Sequence, residues 1–337
     1  MGFRLLLTLG LISAAALAQE PAAPAKSEAA FNTSVTEVVV PVTVTDEKGR
    51  FVSNLDQKDF RLFDEGREQE ITFFTRERNQ PVVVGFLIDQ SNSSRLHWKN
   101  FLEAIQDLVL ATMPEEKRFS GYLIGYANEA ELLVNTTSDP EKILDKVRKM
   151  KPGGGAALYD ALYRACTSRT LVKGEPIEPR RVIVILGDGH DSASKKGLEE
   201  VLELAQRNLI TIYGVSTVAF GFTSEGEKNL TRLAESTGGR VVYPLQNVYK
   251  DVSGYLSTPS DEGNYALKVG TGGYASALMA GIVNAISAVA GEITTQYILR
   301  YQPSRTDVAR TYRKIRVDVG LPNVKVRARD GYYPFAR

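Results

Sequence analysis

The chain has 337 residues, with 41 Lys and Arg against 40 Asp and Glu for a formal charge of +1, and 43% of its residues are hydrophobic. That balance, over a length that suits two domains with their own cores, excludes collagen-like, coiled-coil and disordered classes. It also leaves no excess of Lys and Arg for a nucleic-acid backbone or an anionic membrane, so no nucleic-acid partner is expected.

In chain order, Arg4 precedes an apolar run from Leu5 to Leu17 that closes on the small residues Ala16-Leu17-Ala18. The pattern predicts a signal peptide over 1–18, cleaved between Ala18 and Gln19, and a secreted or periplasmic product. The alternative, an uncleaved membrane anchor, is disfavoured because the run is shorter than the roughly 20 residues of a span, and no span is expected after cleavage. Residues 19–34 include a stretch rich in Ala, Pro, Glu and Lys and read as a flexible leader.

From 35 to 79 the period is two: Val38, Val40, Val42 and Val44 alternate, Asp46-Glu47-Lys48-Gly49 turns the chain, and Phe60, Leu62, Ile71 and Phe73 continue. The middle, 80–291, alternates strand and helix. Pro81 to Ile88 is a continuous apolar run of the kind buried on both faces of a parallel sheet. Trp98, Leu102, Ile105 and Val109 follow at helical spacing, then strands at 122–126 and 131–134 and helices at 140–150 and 158–169. The strand Arg181 to Leu186, a helix over 196–208, the strand Ile210 to Val215, a helix over 225–237 and a short strand at 241–243 come next. Leu278, Ile282, Ile286, Val289 and Ile293 mark one face of a last helix. Residues 292–337 return to strands, with Ile315, Val317 and Val319 alternating against Lys314, Arg316 and Asp318. The expected fold is therefore α/β: a doubly wound, mostly parallel sheet inserted between N- and C-terminal segments of a β-sandwich, with its ligand site at the C-terminal ends of the strands. The only cysteine, Cys166, has no internal disulfide partner and reads as a small buried hydrophobe.

Two of those strand ends are rich in oxygen ligands. After Ile88 comes Asp89-Gln90-Ser91-Asn92-Ser93, and after Leu186 comes Gly187-Asp188-Gly189-His190-Asp191. Between them lies the glycine-rich helix entry Gly153-Gly154-Gly155-Ala156-Ala157-Leu158-Tyr159-Asp160. Two hydroxyls and two carboxylates drawn from separate loops suit a hard divalent cation with water in its remaining positions. The alternative is that Asp89 and Asp188 only cap turns and helix starts.

These residues resemble the metal-ion-dependent adhesion site of von Willebrand factor type A domains, whose pattern is D-x-S-x-S, then a threonine, then an aspartate followed by glycine. Asp89, Ser91 and Ser93 match the first element, and Asp188 with Gly189 the last. Ala156 stands where the family has threonine, and its methyl cannot ligate. The resemblance implies a Rossmann-like fold and Mg²⁺, or Mn²⁺ or Ca²⁺. It further implies that Ser91 and Ser93 touch the ion, that Asp89 and Asp188 hold it through water, and that a protein ligand offers an acidic residue. The flanking segments, the Gly238-Gly239-Arg240 turn and Arg327-Ala328-Arg329-Asp330-Gly331-Tyr332-Tyr333 are similar to the VWFA-related family described from acidobacteria. Residues 245–273 read as an insertion.

The expected function is an exported, non-catalytic adhesion or recognition module. A metal-independent scaffold of the cell envelope is the alternative, supported by Ala156. A phosphatase using Asp89 lacks the second carboxylate of D-x-D, because position 91 is serine. A hydrolase using Ser91 has only His97 and His190 to draw on, and lacks the G-x-S-x-G elbow. His190 reads as a surface loop residue, and the triple glycine lacks the lysine of a phosphate-binding loop.

Overall fold

The computed structural model describes residues 37–76, 81–95, 98–114, 118–167, 179–217, 224–244, 271–304 and 311–334. The signal peptide and leader, His97 and residues 245–270 of the insertion lie outside the described residues. The chain opens with β1 (Val38–Asp46), β2 (Phe60–Asp64), β3 (Arg67–Gln69) and β4 (Ile71–Thr75). The middle comprises β5 (Val82–Asp89), α1 (Trp98–Thr112), β6 (Phe119–Tyr126), β7 (Ala130–Thr137), α2 (Pro140–Val147) and α3 (Leu158–Thr167). It continues through β8 (Arg180–Gly187), α4 (Leu198–Arg207), β9 (Thr211–Ser216), α5 (Glu225–Glu235) and β10 (Val241–Val242). The helix α6 (Thr271–Thr295) leads into β11 (Tyr297–Tyr301), β12 (Arg313–Val319), β13 (Val324–Arg327) and β14 (Gly331–Tyr332).

The middle strands form one six-stranded sheet in the order β10-β9-β8-β5-β6-β7, parallel except for β7. Both faces of β5 are covered, which is why its sequence is an unbroken apolar run. Val84, Phe86 and Ile88 pack with Ile105 of α1, Leu144 of α2 and Ile286 of α6. Val83 and Leu87, on the opposite face, pack with Leu162 of α3, Val201 of α4 and Leu230 of α5.

Several boundaries differ from the sequence reading for local reasons. β6 starts at Phe119 rather than 122, because it pairs with β5 from Val82 onward. α2 ends at Val147 rather than 150: Lys149 N–H and Met150 N–H donate three residues back, to Lys146 O and Val147 O, tightening the last turn. α4 starts at Leu198 rather than 196, since the N–H groups of Lys195 and Lys196 donate to the Asp160 carboxylate instead.

The terminal strands form two antiparallel four-stranded sheets, β13-β1-β11-β4 and β14-β12-β2-β3, each drawing on both ends of the chain. Val40, Val42, Leu62, Leu299, Ile315 and Val317 from the two sheets share one apolar cluster. Polar side chains tie these sheets to the central one. Gln296 Nε2 donates to Thr43 Oγ1 of β1 and to Tyr213 Oη of β9, each at 2.9 Å. Glu292, near the end of α6 and 7% exposed, accepts at Oε1 from Arg240 Nε at 2.8 Å and from Arg327 Nη2 at 2.6 Å. Glu292→Gln keeps the shape and discards the charge, and is expected to lower stability by about 1–3 kcal/mol in urea unfolding. An unchanged midpoint would show that this triad is not a tie. Among the described residues no helix is long and apolar enough to cross a membrane.

Candidate functional site

The central sheet reverses its strand order at β5: the chain passes to β6 on one side and later to β8 on the other. The connections leaving β5 and β8 diverge there, the position at which open α/β sheets place a ligand crevice. Ile88 is paired with Leu186 in register, so Asp89 and Asp188 emerge on adjacent strands.

Asp89 closes β5 at 2% exposure, and its Oδ1 accepts the Ser91 N–H at 2.7 Å. This turn folds the loop back and brings Ser91 Oγ to 2.8 Å from Ser93 Oγ. Asp188 repeats the device: its Oδ1 accepts the His190 N–H at 2.8 Å. The turn requires Gly189, whose φ of +76° is left-handed and whose hydrogen faces the Gly226 backbone of α5, where a Cβ would collide.

The glycine-rich loop is sewn between the other two. Gly153 N–H donates to Gln90 O at 2.5 Å, and Asn92 N–H to Gly154 O at 3.1 Å. Gly155 N–H donates to Asn128 Oδ1 at 2.7 Å and Ala156 N–H to Ser192 Oγ at 3.1 Å. Ser192 N–H and Ala193 N–H return to Ala156 O at 2.8 and 3.0 Å. The Ala156 methyl is buried in the apolar cluster beneath the loop, so this position supplies backbone to the site and no ligand atom.

The neighbouring acids Asp160 and Asp191 are structural. Asp191 Oδ1 accepts the Tyr159 N–H at 3.1 Å and the Ser194 hydroxyl at 2.6 Å, while Asp160 holds the start of the segment leading to α4. His190 is exposed, as its loop position suggested, and Ser91 Oγ bonds to Ser93 Oγ rather than to an imidazole among the described residues. Cys166 is buried, and burial pushes its thiol up to about 12.

Burial raises the Asp89 carboxyl to about 6; the bonds from Ser91 oppose the shift and the Asp188 charge adds to it. Burial likewise raises Glu227 on α5, with its backbone bond from Ser224 opposing and the Asp188 charge adding. Asp89 Oδ2 is buried without a hydrogen-bond partner, and among the described residues neither Asp89 nor Asp188 has an ion pair. Asp89, which feels the Asp188 charge, thus lies in the same turn as the paired Ser91 and Ser93 hydroxyls without a cationic partner. Among the described residues no three His, Cys, Asp or Glu side chains form a group that could hold a metal ion; the candidate oxygens of Asp89, Asp188, Ser91 and Ser93 are mixed carboxylate and hydroxyl. A donor set of that kind fits a hard cation such as Mg²⁺ and not a soft one.

Sequence reading missed two contributors to this architecture, Asn128 and Ser192. Both act by accepting backbone N–H groups of a loop distant in the chain, which no local pattern announces.

Residues 84–252, half of the chain, match the family profile of the von Willebrand factor type A domain. Among solved structures, the chain is similar to the vWF domain of a type V pili tip protein from Porphyromonas gingivalis, at 23% identity over 33% of this chain and 39% of that one, with TM-score 0.30. It is similar to a von Willebrand factor type A protein from Catenulispora acidiphila at 12% identity, over 76% of this chain and 52% of that one, with TM-score 0.41. A third is proximal thread matrix protein 1 from the mussel byssus with a zinc-occupied MIDAS motif, at 15% identity over 68% and 49% of the two chains, with TM-score 0.41. The chain therefore spans about half or less of these proteins. No curated protein matches it.

Proposed function

The chain belongs to the von Willebrand factor type A family, and from that premise we propose that it is an exported, non-catalytic adhesion or recognition module whose ligand is a protein. Asp89, Ser91, Ser93 and Asp188 hold Mg²⁺, or Mn²⁺ or Ca²⁺ in its place. When bound, the cation supplies a Lewis-acidic position to an Asp or Glu of the partner. What supports this reading is the buried Asp89, under the influence of the Asp188 charge and in one turn with the paired hydroxyls of Ser91 and Ser93, at the switch point of the sheet. The type A domain, over about 80–291, is read as projecting from a β-sandwich base made by residues 35–79 and 292–337, an organisation akin to the acidobacterial VWFA-related family. Export rests on the apolar pattern of residues 1–18.

The chain's own groups divide the work. The Asp89 and Asp188 turns fix two carboxylates, and the serine pair offers lone pairs beside them. The glycine-rich loop braces both sides without contributing an oxygen side chain. That last feature favours the second reading, a metal-independent envelope scaffold, because position 156 presents only a buried methyl.

Thermal unfolding separates the two. Millimolar Mg²⁺ or Mn²⁺ is expected to raise Tm by preferential binding to the folded state, and Asp89→Ala to abolish the rise. Because protonation of Asp89 near pH 6 competes with the cation, the rise is expected to shrink between pH 7 and pH 5. A wild-type melting curve indifferent to both ions at pH 7 selects the scaffold.

A further inference from the structure

Beneath Asp89, two buried polar atoms approach one another without partners. Asp89 Oδ2 and Tyr126 Oη each lack a hydrogen bond, and their residues are 2% and 0% exposed. Both flank one point: a Cβ built on Gly187 would lie 2.5 Å from Tyr126 Oη and 3.0 Å from Asp89 Oδ2. The two oxygens are therefore no farther apart than the sum of those lengths, a span that one water bridges with two ordinary hydrogen bonds. Ser94 Oγ, also buried, acts on Asp89 as a hydrogen-bonding neighbour that favours its charge, and adds a third polar group. A site with two or three polar partners is what an internal water requires. Leaving either buried oxygen unsatisfied is destabilising, which drives such a bridge.

We propose that Tyr126 is a positioning residue of this site: its hydroxyl donates, through one internal water seated against Gly187, to Asp89 Oδ2. The D-x-S turn grips the carboxylate by Oδ1 alone; the phenol secures its other side and fixes the plane in which the acid faces the crevice. Gly187 is needed at the end of β8 because any side chain there would strike Tyr126 Oη and the Asp89 Cβ. The proposal shares with the proposed function the importance of Asp89, but the linkage holds with or without a cation.

The test is Tyr126→Phe in the full chain, melted in EDTA. The expected result is a Tm lower by about 2–4 °C, with that loss disappearing in an Asp89→Ala background. An unchanged or higher Tm, the response to deleting a merely unsatisfied hydroxyl, overturns the proposal. A high-resolution crystal structure provides a second reading: a water within hydrogen-bond distance of both oxygens is expected, and a dry contact overturns the bridge. A wild type that ignores Mn²⁺ would sink the cation site and leave the EDTA result intact. Conversely, a Mn²⁺-responsive wild type with an unaffected Tyr126→Phe variant would sink only the bridge.

Discussion

Asp64→Ala is expected to destabilise the chain by about 3–5 kcal/mol, the usual cost of removing one partner from a buried charge network. Asp64 closes β2 at 1% exposure, and its carboxylate accepts bonds from three side chains among the described residues. Arg313 Nε reaches Oδ1 at 3.0 Å, and the hydroxyls of Tyr301 and Tyr332 both reach Oδ2 at 3.0 Å. Those donors come from β12, β11 and β14, so a single side chain from the start of the chain gathers three strands from its end. The alanine variant removes the Arg313–Asp64 ion pair and deprives the two buried phenols of this acceptor. Urea unfolding measures the loss, and Asp64→Asn, which keeps an acceptor, is expected to lose less. A cost below about 1 kcal/mol for the alanine variant would mean that the two outer sheets are held by their apolar cluster alone.

The second large effect has the opposite sign. Asp89→Asn is expected to raise stability in EDTA at pH 7 by up to about 3 kcal/mol, and to erase the response to Mg²⁺. The carboxyl titrates near 6 in the folded chain, against its ordinary 3.8, through burial first, with the Asp188 charge adding and the Ser91 bonds opposing. Between about pH 4 and 6 the folded state holds the proton more tightly than the unfolded one, so stability falls as pH rises through that window. Asparagine retains an acceptor for the Ser91 N–H and removes the charge. Its advantage should therefore be present at pH 7 and vanish near pH 4. Loss of stability at both pH values would show that the charge is already satisfied without a cation.

The central sheet was readable in the sequence because strands covered on both faces carry continuous apolar runs, as Val82 to Ile88 and Val182 to Leu186 do. The D-x-S-x-S and Asp-Gly turns were readable for a related reason: each is closed by a local bond, Asp89 to Ser91 and Asp188 to His190. What escaped depends on partners far along the chain. The start of α4 is displaced by Asp160, which lies on α3 and takes the N–H groups of Lys195 and Lys196. Glu292 meets Arg240 and Arg327 only after the last helix has packed, so no short-range pattern announces the triad. Tyr126 is indistinguishable from a core aromatic until Gly187 and Asp89 are set beside it. Ala156 was visible as a departure from the adhesion-site pattern, but its burial in the core and its bonds to the Ser192 loop were not.

The most direct measurement of the central claim is anomalous diffraction from crystals of the full chain soaked in Mn²⁺. A peak between the Asp89-Ser91-Ser93 turn and Asp188, with the serine hydroxyls at coordination distance, is the predicted result. Fully diffusing crystals with no peak there, or with manganese only on surface carboxylates elsewhere, would contradict it.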